Sequence, residues 1–223
     1  VSPHVSSTTQ TEICSWLKDC LNSKVGHQFG ASAYPAVYIQ KELLFNRLAA
    51  FAKQQAQRTR EGWVIKYSEL SFSKVDFGVV LKDNTTLKVN GRIDRIDFNE
   101  RTKEWAIIDY KTGSTPREAK RSHFHKTDGW RDFQLPLYYF FARKFGLEGD
   151  IYLGYCNLPA DSSRTTFDLQ VWPEEELQDA LASVKLLGQM IVDNKFWPPN
   201  FSVPEAFDDF SGIIGMFSEE RLL

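Results

Sequence analysis

Residues 11–21 place Ile13, Trp16, Leu17 and Leu21 on one helical face, which predicts a short amphipathic helix with Ser7, Thr8 or Thr9 as its cap. Gly and small side chains make residues 24–35 read as a loop. Residues 36–60 carry neither Gly nor Pro, and Val37, Leu44, Leu48 and Phe51 form the apolar stripe of a long helix with a Gln- and Arg-rich end. At Trp63 the period drops toward two. Strands are expected at 63–72, 75–81, 86–98 and 104–110, with turns at 82–84 and 99–103, as an antiparallel meander. A polar, basic connection then leads to a helix over 130–145 that stops before Gly146. Strands at 151–157 and 164–172 follow. Pro173 at a helix N1 position opens a last helix to about residue 194, with Glu174, Glu175 and Glu176 in its first turn.

That order predicts an α/β domain built on a mixed central sheet flanked by helices, with a helical N-terminal lead-in. Residues 1–62 would be the lead-in, 63–195 the core, and 196–223, which have no clear period, a wrap over the surface. No Gly-rich loop follows a first strand, so neither nucleotide-binding fingerprint is present. The composition, 42% hydrophobic and 25% charged over 223 residues, is that of a globular protein. A net charge of −2 gives no general attraction to a polyanion, so any nucleic-acid affinity must be local. Cys14, Cys20 and Cys156 are odd in number and lack CxxC spacing, which argues against disulfides, zinc and an iron–sulfur cluster. No apolar run suits a membrane span and no secretion signal opens the chain, so a cytoplasmic location is the expectation. The chain starts at Val1, as a fragment of a longer protein would and as a chain stripped of its initiator also would.

The chemistry concentrates in Gly91-Arg92-Ile93-Asp94-Arg95-Ile96-Asp97 and Ile107-Ile108-Asp109-Tyr110-Lys111-Thr112-Gly113. A hairpin symmetric about Arg101 and Thr102 sets Asp94 opposite Asp109. Like charges across a strand pair are destabilising and call for a cation, and hard carboxylate oxygens suit Mg²⁺ or Mn²⁺. Lys111, two residues past Asp109, projects from the same face, where it can steady an attacking water or phosphate charge. The opposing reading is a row of exposed strand charges, since a slip of one residue would separate the pair. Charge at the end of the apolar strand 105–108, beside a Thr-Gly turn, favours a site.

GRIDRID, IIDYKTG and the later QLPLYY, in that order, resemble the three motifs of RecB-family nucleases in the PD-(D/E)xK superfamily, a group that includes the nuclease domains of RecB and AddB. The likeness implies a restriction-endonuclease-like fold. It makes Asp94 and Asp109 the metal-binding acids, the backbone carbonyl of Tyr110 a further ligand, Lys111 the catalytic lysine, and Gln134 and Tyr138 the third motif on one helix face. For Tyr138, packing of the helix on the sheet is a competing role. Glu69 would reach the metal through water or be an ordinary exposed acid. Many relatives carry a histidine on the long helix; residues 36–60 have none, and His27 is a candidate substitute. Arg95 and Asp97 read as a local ion pair, and Arg92 as a phosphate contact.

From Lys111 to Arg131 six Lys or Arg face two acids, Glu118 and Asp128, with aromatic rings interleaved. Arg117, Lys120, Arg121, Lys126, Trp130 and Arg131 are thus candidate DNA contacts, against the alternative of a solvated loop. His123 and His125 read as loop histidines. The expected activity is Mg²⁺- or Mn²⁺-dependent hydrolysis of DNA, as an exonuclease of recombination or repair that forms the terminal domain of a helicase-like protein. The alternatives are an inactive DNA-binding module of the same fold and a restriction-type endonuclease.

Overall fold

The apolar alternation that begins at Trp63 builds one five-stranded mixed sheet in the computed structural model, which describes residues 3–30, 34–80, 84, 86–127 and 129–195. Helices α1 (Gln10–Phe29) and α2 (Pro35–Arg60) precede strands β1 (Trp63–Val80), β2 (Thr86–Asn99) and β3 (Trp105–Lys111). A crossover holds α3 (Ala119–His123), the two-residue strands β4 (Phe124–His125) and β5 (Gly129–Trp130), and α4 (Gln134–Lys144). Strands β6 (Ile151–Asn157) and β7 (Thr166–Val171) and helix α5 (Glu174–Val192) complete the described part. The expected wrap at 196–223 lies outside the described residues, as does part of the 82–84 turn.

The sheet order is β1-β2-β3-β6-β7, antiparallel throughout except where β3 and β6 run parallel. A parallel pair needs a long crossover, and this one carries α4 back across the sheet. Strand β3 is therefore central and covered on both faces. Ile107 joins the core under α4 and α5, whereas Ala106 and Ile108 pack with Phe51 of α2 and Trp63. That alternation sends Asp109 and Lys111 toward α4, and Tyr110 toward α2.

Several boundaries differ from the expectation for physical reasons. Residues 24–29 are helical rather than loop, because Gly26 costs a helix only about 1 kcal/mol and the chain stops at Gly30, where φ is +70°. Thr9 takes the cap position, yet no side-chain hydrogen bond is made there. The two strands expected at 63–72 and 75–81 are one, because the break is a bulge: Lys74 has φ +54° and its amide bonds Asn90 Oδ1 at 2.8 Å. Helix α4 begins at Gln134 instead of residue 130. Pro136, which lacks an N–H, is tolerated only in a first turn, and Asp132 Oδ1 accepts the Gln134 amide at 2.8 Å. Trp130 pairs with Phe124 in the small hairpin.

The helical lead-in is tied to the sheet by charge as well as by packing. Arg95 and Asp97 do form an ion pair, Nε to Oδ1 at 2.6 Å, but both are buried, and Arg58 of α2 adds a third arm, Nη2 to Asp97 Oδ2 at 2.9 Å.

Candidate metal centre

The hairpin ladder runs from Phe98↔Trp105 to Arg95↔Ile108, so its symmetry point is the one read from the sequence, and the next pair in line is Asp94 and Asp109. The ladder ends there because the Asp94 carboxylate takes over: its Oδ2 accepts the Tyr110 N–H at 3.0 Å. In an extended strand the N–H and C=O of one residue leave on the same edge, so the Tyr110 carbonyl also points toward β2, beside Asp94.

Gln134, at the start of α4, ties the remaining groups together. Its Nε2 donates to Asp109 Oδ1 at 2.8 Å and lies 3.0 Å from Tyr138 Oη, while its Oε1 accepts from Lys111 Nζ at 3.3 Å. The i, i+4 spacing on one helix face makes this triangle possible. Tyr138 is 7% exposed and donates its hydroxyl to the Arg92 carbonyl at 2.6 Å, so it both packs the core and joins α4 to β2. The structure thus brings Asp94, Asp109, Lys111, Gln134 and Tyr138 together.

Asp109 is only 4% exposed. Burial pushes its carboxyl above the ordinary aspartate range, the Lys111 ammonium opposes that, and Asp94 and Asp132 add to the rise. Lys111 Nζ stands 2.7 Å from Oδ2 as a charge contact, yet that buried oxygen has no aligned hydrogen-bond donor. A buried carboxylate that feels a second acid, Asp94, and has a main-chain carbonyl on the adjoining strand edge fits a hard divalent cation. Among the described residues no group of three or more His, Cys, Asp or Glu could hold a metal, so water would have to complete the shell. Saturating Mg²⁺ or Mn²⁺ is expected to raise the thermal midpoint of the protein, by about 2.7 kcal/mol of stability at a hundredfold excess over Kd. Asp109→Asn should lose that rise; thermal scans with and without metal decide it, and an equal rise in the variant would exclude Asp109 as a ligand.

The other expected residues divide. Glu69 is exposed and its carboxylate pairs with the Arg92 guanidinium at 2.9 Å, which occupies both side chains outside the inner lattice. Lys120 pairs with Glu176 at 2.7 Å. Trp130 donates its indole N–H to Asp179 at 2.7 Å and stacks on Phe133 and Trp172, so it is chiefly a packing residue. Lys126 is exposed. Arg117, Arg121 and Arg131 line one open cavity of about 490 Å³. His27 sits in the last turn of α1, not in a loop, and is exposed. The thiols of Cys14, Cys20 and Cys156 are free.

His123 corrects the expectation of a loop histidine: it is fully buried at the end of α3. Its Nε2 must accept, because the Leu135 amide 3.3 Å away can only donate, which leaves the proton on Nδ1 for the Ala119 carbonyl at 2.9 Å. Tyr155 stands beside it, Oη 3.1 Å from Nδ1, and lies with its ring 4.8 Å under Lys111 Nζ. The sequence held one signal for His123, the four-residue step back to Ala119 that closes a helical turn.

Burial lowers the His123 pKa from 6.5, against the Ala119 hydrogen bond and Asp132. A base depressed in the folded state adds stability above the unfolded pKa, and that stability is lost as pH falls through 6.5 toward the folded value. Relative to His123→Gln, the wild type should therefore lose stability as pH falls below about 6.5, by at most about 1.4 kcal/mol per pH unit. Parallel stability curves in urea would refute this.

With the fold and geometry in view, the chain's kinship follows from comparison with known proteins. A family model described as the PD-(D/E)XK nuclease superfamily matches residues 8–202, and the chain belongs to that superfamily. Its mixed sheet with flanking and N-terminal helices is the restriction-endonuclease-like fold. A solved structure of a candidate exonuclease from Eubacterium rectale is similar, at 14% identity and a TM-score of 0.43, covering 96% of this chain and 80% of that one. At that identity and score the likeness adds nothing to the family assignment. No curated protein matches the chain. Among the described residues no helix is long and apolar enough to cross a membrane.

Proposed function

We propose that the chain is a divalent-metal-dependent deoxyribonuclease, of RecB-like character, that hydrolyses phosphodiester bonds at DNA ends. The observation that supports this most is the Gln134 bridge, which holds an acid and a lysine in one lattice facing Asp94. Asp94, Asp109 and the Tyr110 carbonyl would hold Mg²⁺ or Mn²⁺, which when bound supplies Lewis-acid charge for the phosphate oxygens. Lys111 orients the attacking water through Nζ and offsets the negative charge that grows on phosphorus-bound oxygen. Gln134 holds the Asp109 carboxylate through Nε2 and the Lys111 ammonium through Oε1, and so fixes the orientation of both. Tyr138 fixes the Gln134 amide by its hydrogen bond to the β2 main chain. On this reading the protein works at DNA ends in recombination or repair, as the terminal domain of a helicase-like protein.

The test is to incubate the protein with labelled single- and double-stranded DNA in Mg²⁺, Mn²⁺ or chelator. Progressive shortening from ends in metal, and none in chelator, is expected. Discrete internal fragments would point to an endonuclease of restriction type. Binding with no cleavage in any metal would overturn the proposal in favour of a DNA-binding module.

A further inference from the structure

We infer that Arg117, Arg121 and Arg131 form a phosphate-binding subsite that grips the nucleic-acid strand beside the metal centre, and that Asn157 sets its position. The inference rests on the nuclease reading for the strand's purpose, but not for its binding. The three guanidiniums belong to different segments: the loop after β3, helix α3, and the residue after β5. They meet at one cavity of about 490 Å³ with Ser122 and a single acid, Glu118, so the lining carries a net positive charge. All three arginines are exposed, which spares them the desolvation cost of a buried cation, and the planar guanidinium fork matches a phosphate bidentately.

The cavity is anchored to the catalytic strand. Asn157 is 1% exposed, and it clamps the Arg117 main chain from both sides: its Oδ1 accepts the Arg117 N–H at 2.9 Å, and its Nδ2 donates to the Arg117 carbonyl at 3.0 Å. In the parallel β3–β6 pairing Asn157 is the register partner of Lys111. One strand spacing, about 4.8 Å, therefore separates the Lys111 main chain from the residue that fixes Arg117. The α3 side is held just as closely. Asp168 Oδ2 accepts the Ala119 N–H at 2.6 Å, and His123 seats the other end of α3 against Tyr155, whose ring underlies Lys111. Of the seven basic or aromatic residues that the sequence offered as DNA contacts, these three are set apart by their convergence on one cavity.

The test is fluorescence anisotropy of a labelled single-stranded oligonucleotide in chelator, where no cleavage occurs, over a series of salt concentrations. Arg121→Ala and Arg131→Ala should each weaken binding about tenfold and reduce the salt slope by about one, whereas Lys53→Ala on the exposed side of α2 should do neither. Unchanged affinity in both arginine variants, or an equal loss in Lys53→Ala, would overturn the subsite. Oligonucleotides with a 5′-phosphate, a 3′-phosphate or hydroxyl ends distinguish the source of the phosphate: dependence on an end phosphate assigns a terminal group, and indifference assigns the backbone. Asn157→Ser keeps a small polar side chain but loses the clamp; it should raise KM for DNA several-fold with kcat held, and a fall in kcat alone would remove Asn157 from this role. Should the wild type bind in this way yet never cleave, the nuclease reading fails and the subsite stands; should it cleave while the arginine variants bind normally, the subsite fails alone.

Discussion

Lys111→Ala is expected to slow metal-dependent DNA cleavage by about 10³-fold while leaving metal binding in place. Lys111 does two jobs in the structure. Its ammonium stands 2.7 Å from the buried Asp109 carboxylate and donates to Gln134 Oε1, which leaves a third N–H to turn toward a bound phosphate. Without it the metal-free protein holds Asp109 uncompensated, so the variant should be less stable than wild type in chelator. Divalent metal restores the missing charge, so the stability gap should narrow on saturation while the rate stays low. Lys111→Arg should not rescue, because the planar guanidinium is larger and its fork does not fit a pocket shaped around one ammonium and Gln134 Oε1. Initial rates on labelled DNA with and without metal, read beside thermal midpoints, decide the matter. Wild-type turnover in Lys111→Ala would remove Lys111 from the chemistry.

Much of the site could be read from local sequence because it lies on one hairpin and one short helix. The symmetric turn fixed the Asp94 and Asp109 pairing, and the two-residue period put Lys111 with them. Gln134 and Tyr138 needed only a helix to share a face. What lay beyond reach was set by distant contacts. Glu69 carries φ +53° in β1, and its engagement by Arg92 depends on pairing across strands that no local pattern reports. His123 is buried because α3 docks on Tyr155, 32 residues away, and a short polar-looking helix gives no period from which to infer it. The parallel β3–β6 register, which brings Asn157 beside Lys111, is likewise a property of the crossover rather than of either strand. The lead-in helix illustrates the same limit: its end reads locally as no more than Gln- and Arg-rich, yet Arg58 points inward to a carboxylate 39 residues on.

That inward arginine sets up the largest effect expected on stability. Asp97→Ala should destabilise the protein by about 3–5 kcal/mol, seen as a shift of the urea midpoint with an unchanged slope. Asp97 is fully buried between Arg95, which grips both its oxygens at 2.6 and 2.7 Å, and Arg58 at 2.9 Å. Removing it leaves two guanidiniums facing each other, and Arg95 already lowers the Arg58 pKa, which burial depresses first. Arg58 can still lie over the rings of Trp63 and Phe167, at 4.5 and 4.7 Å, but cation–π contacts of about 1–2 kcal/mol do not offset two buried like charges. A triple replacement, Arg58→Leu, Arg95→Met and Asp97→Leu, removes all three charges at once and should recover most of the loss. Since Asp97 and Asp94 lie on opposite faces of β2, activity at a temperature where Asp97→Ala remains folded should be near normal. A variant that stays folded yet loses its metal-induced stabilisation would instead mean that this ionic clamp on the α2 face sets the geometry of the metal centre through the strand.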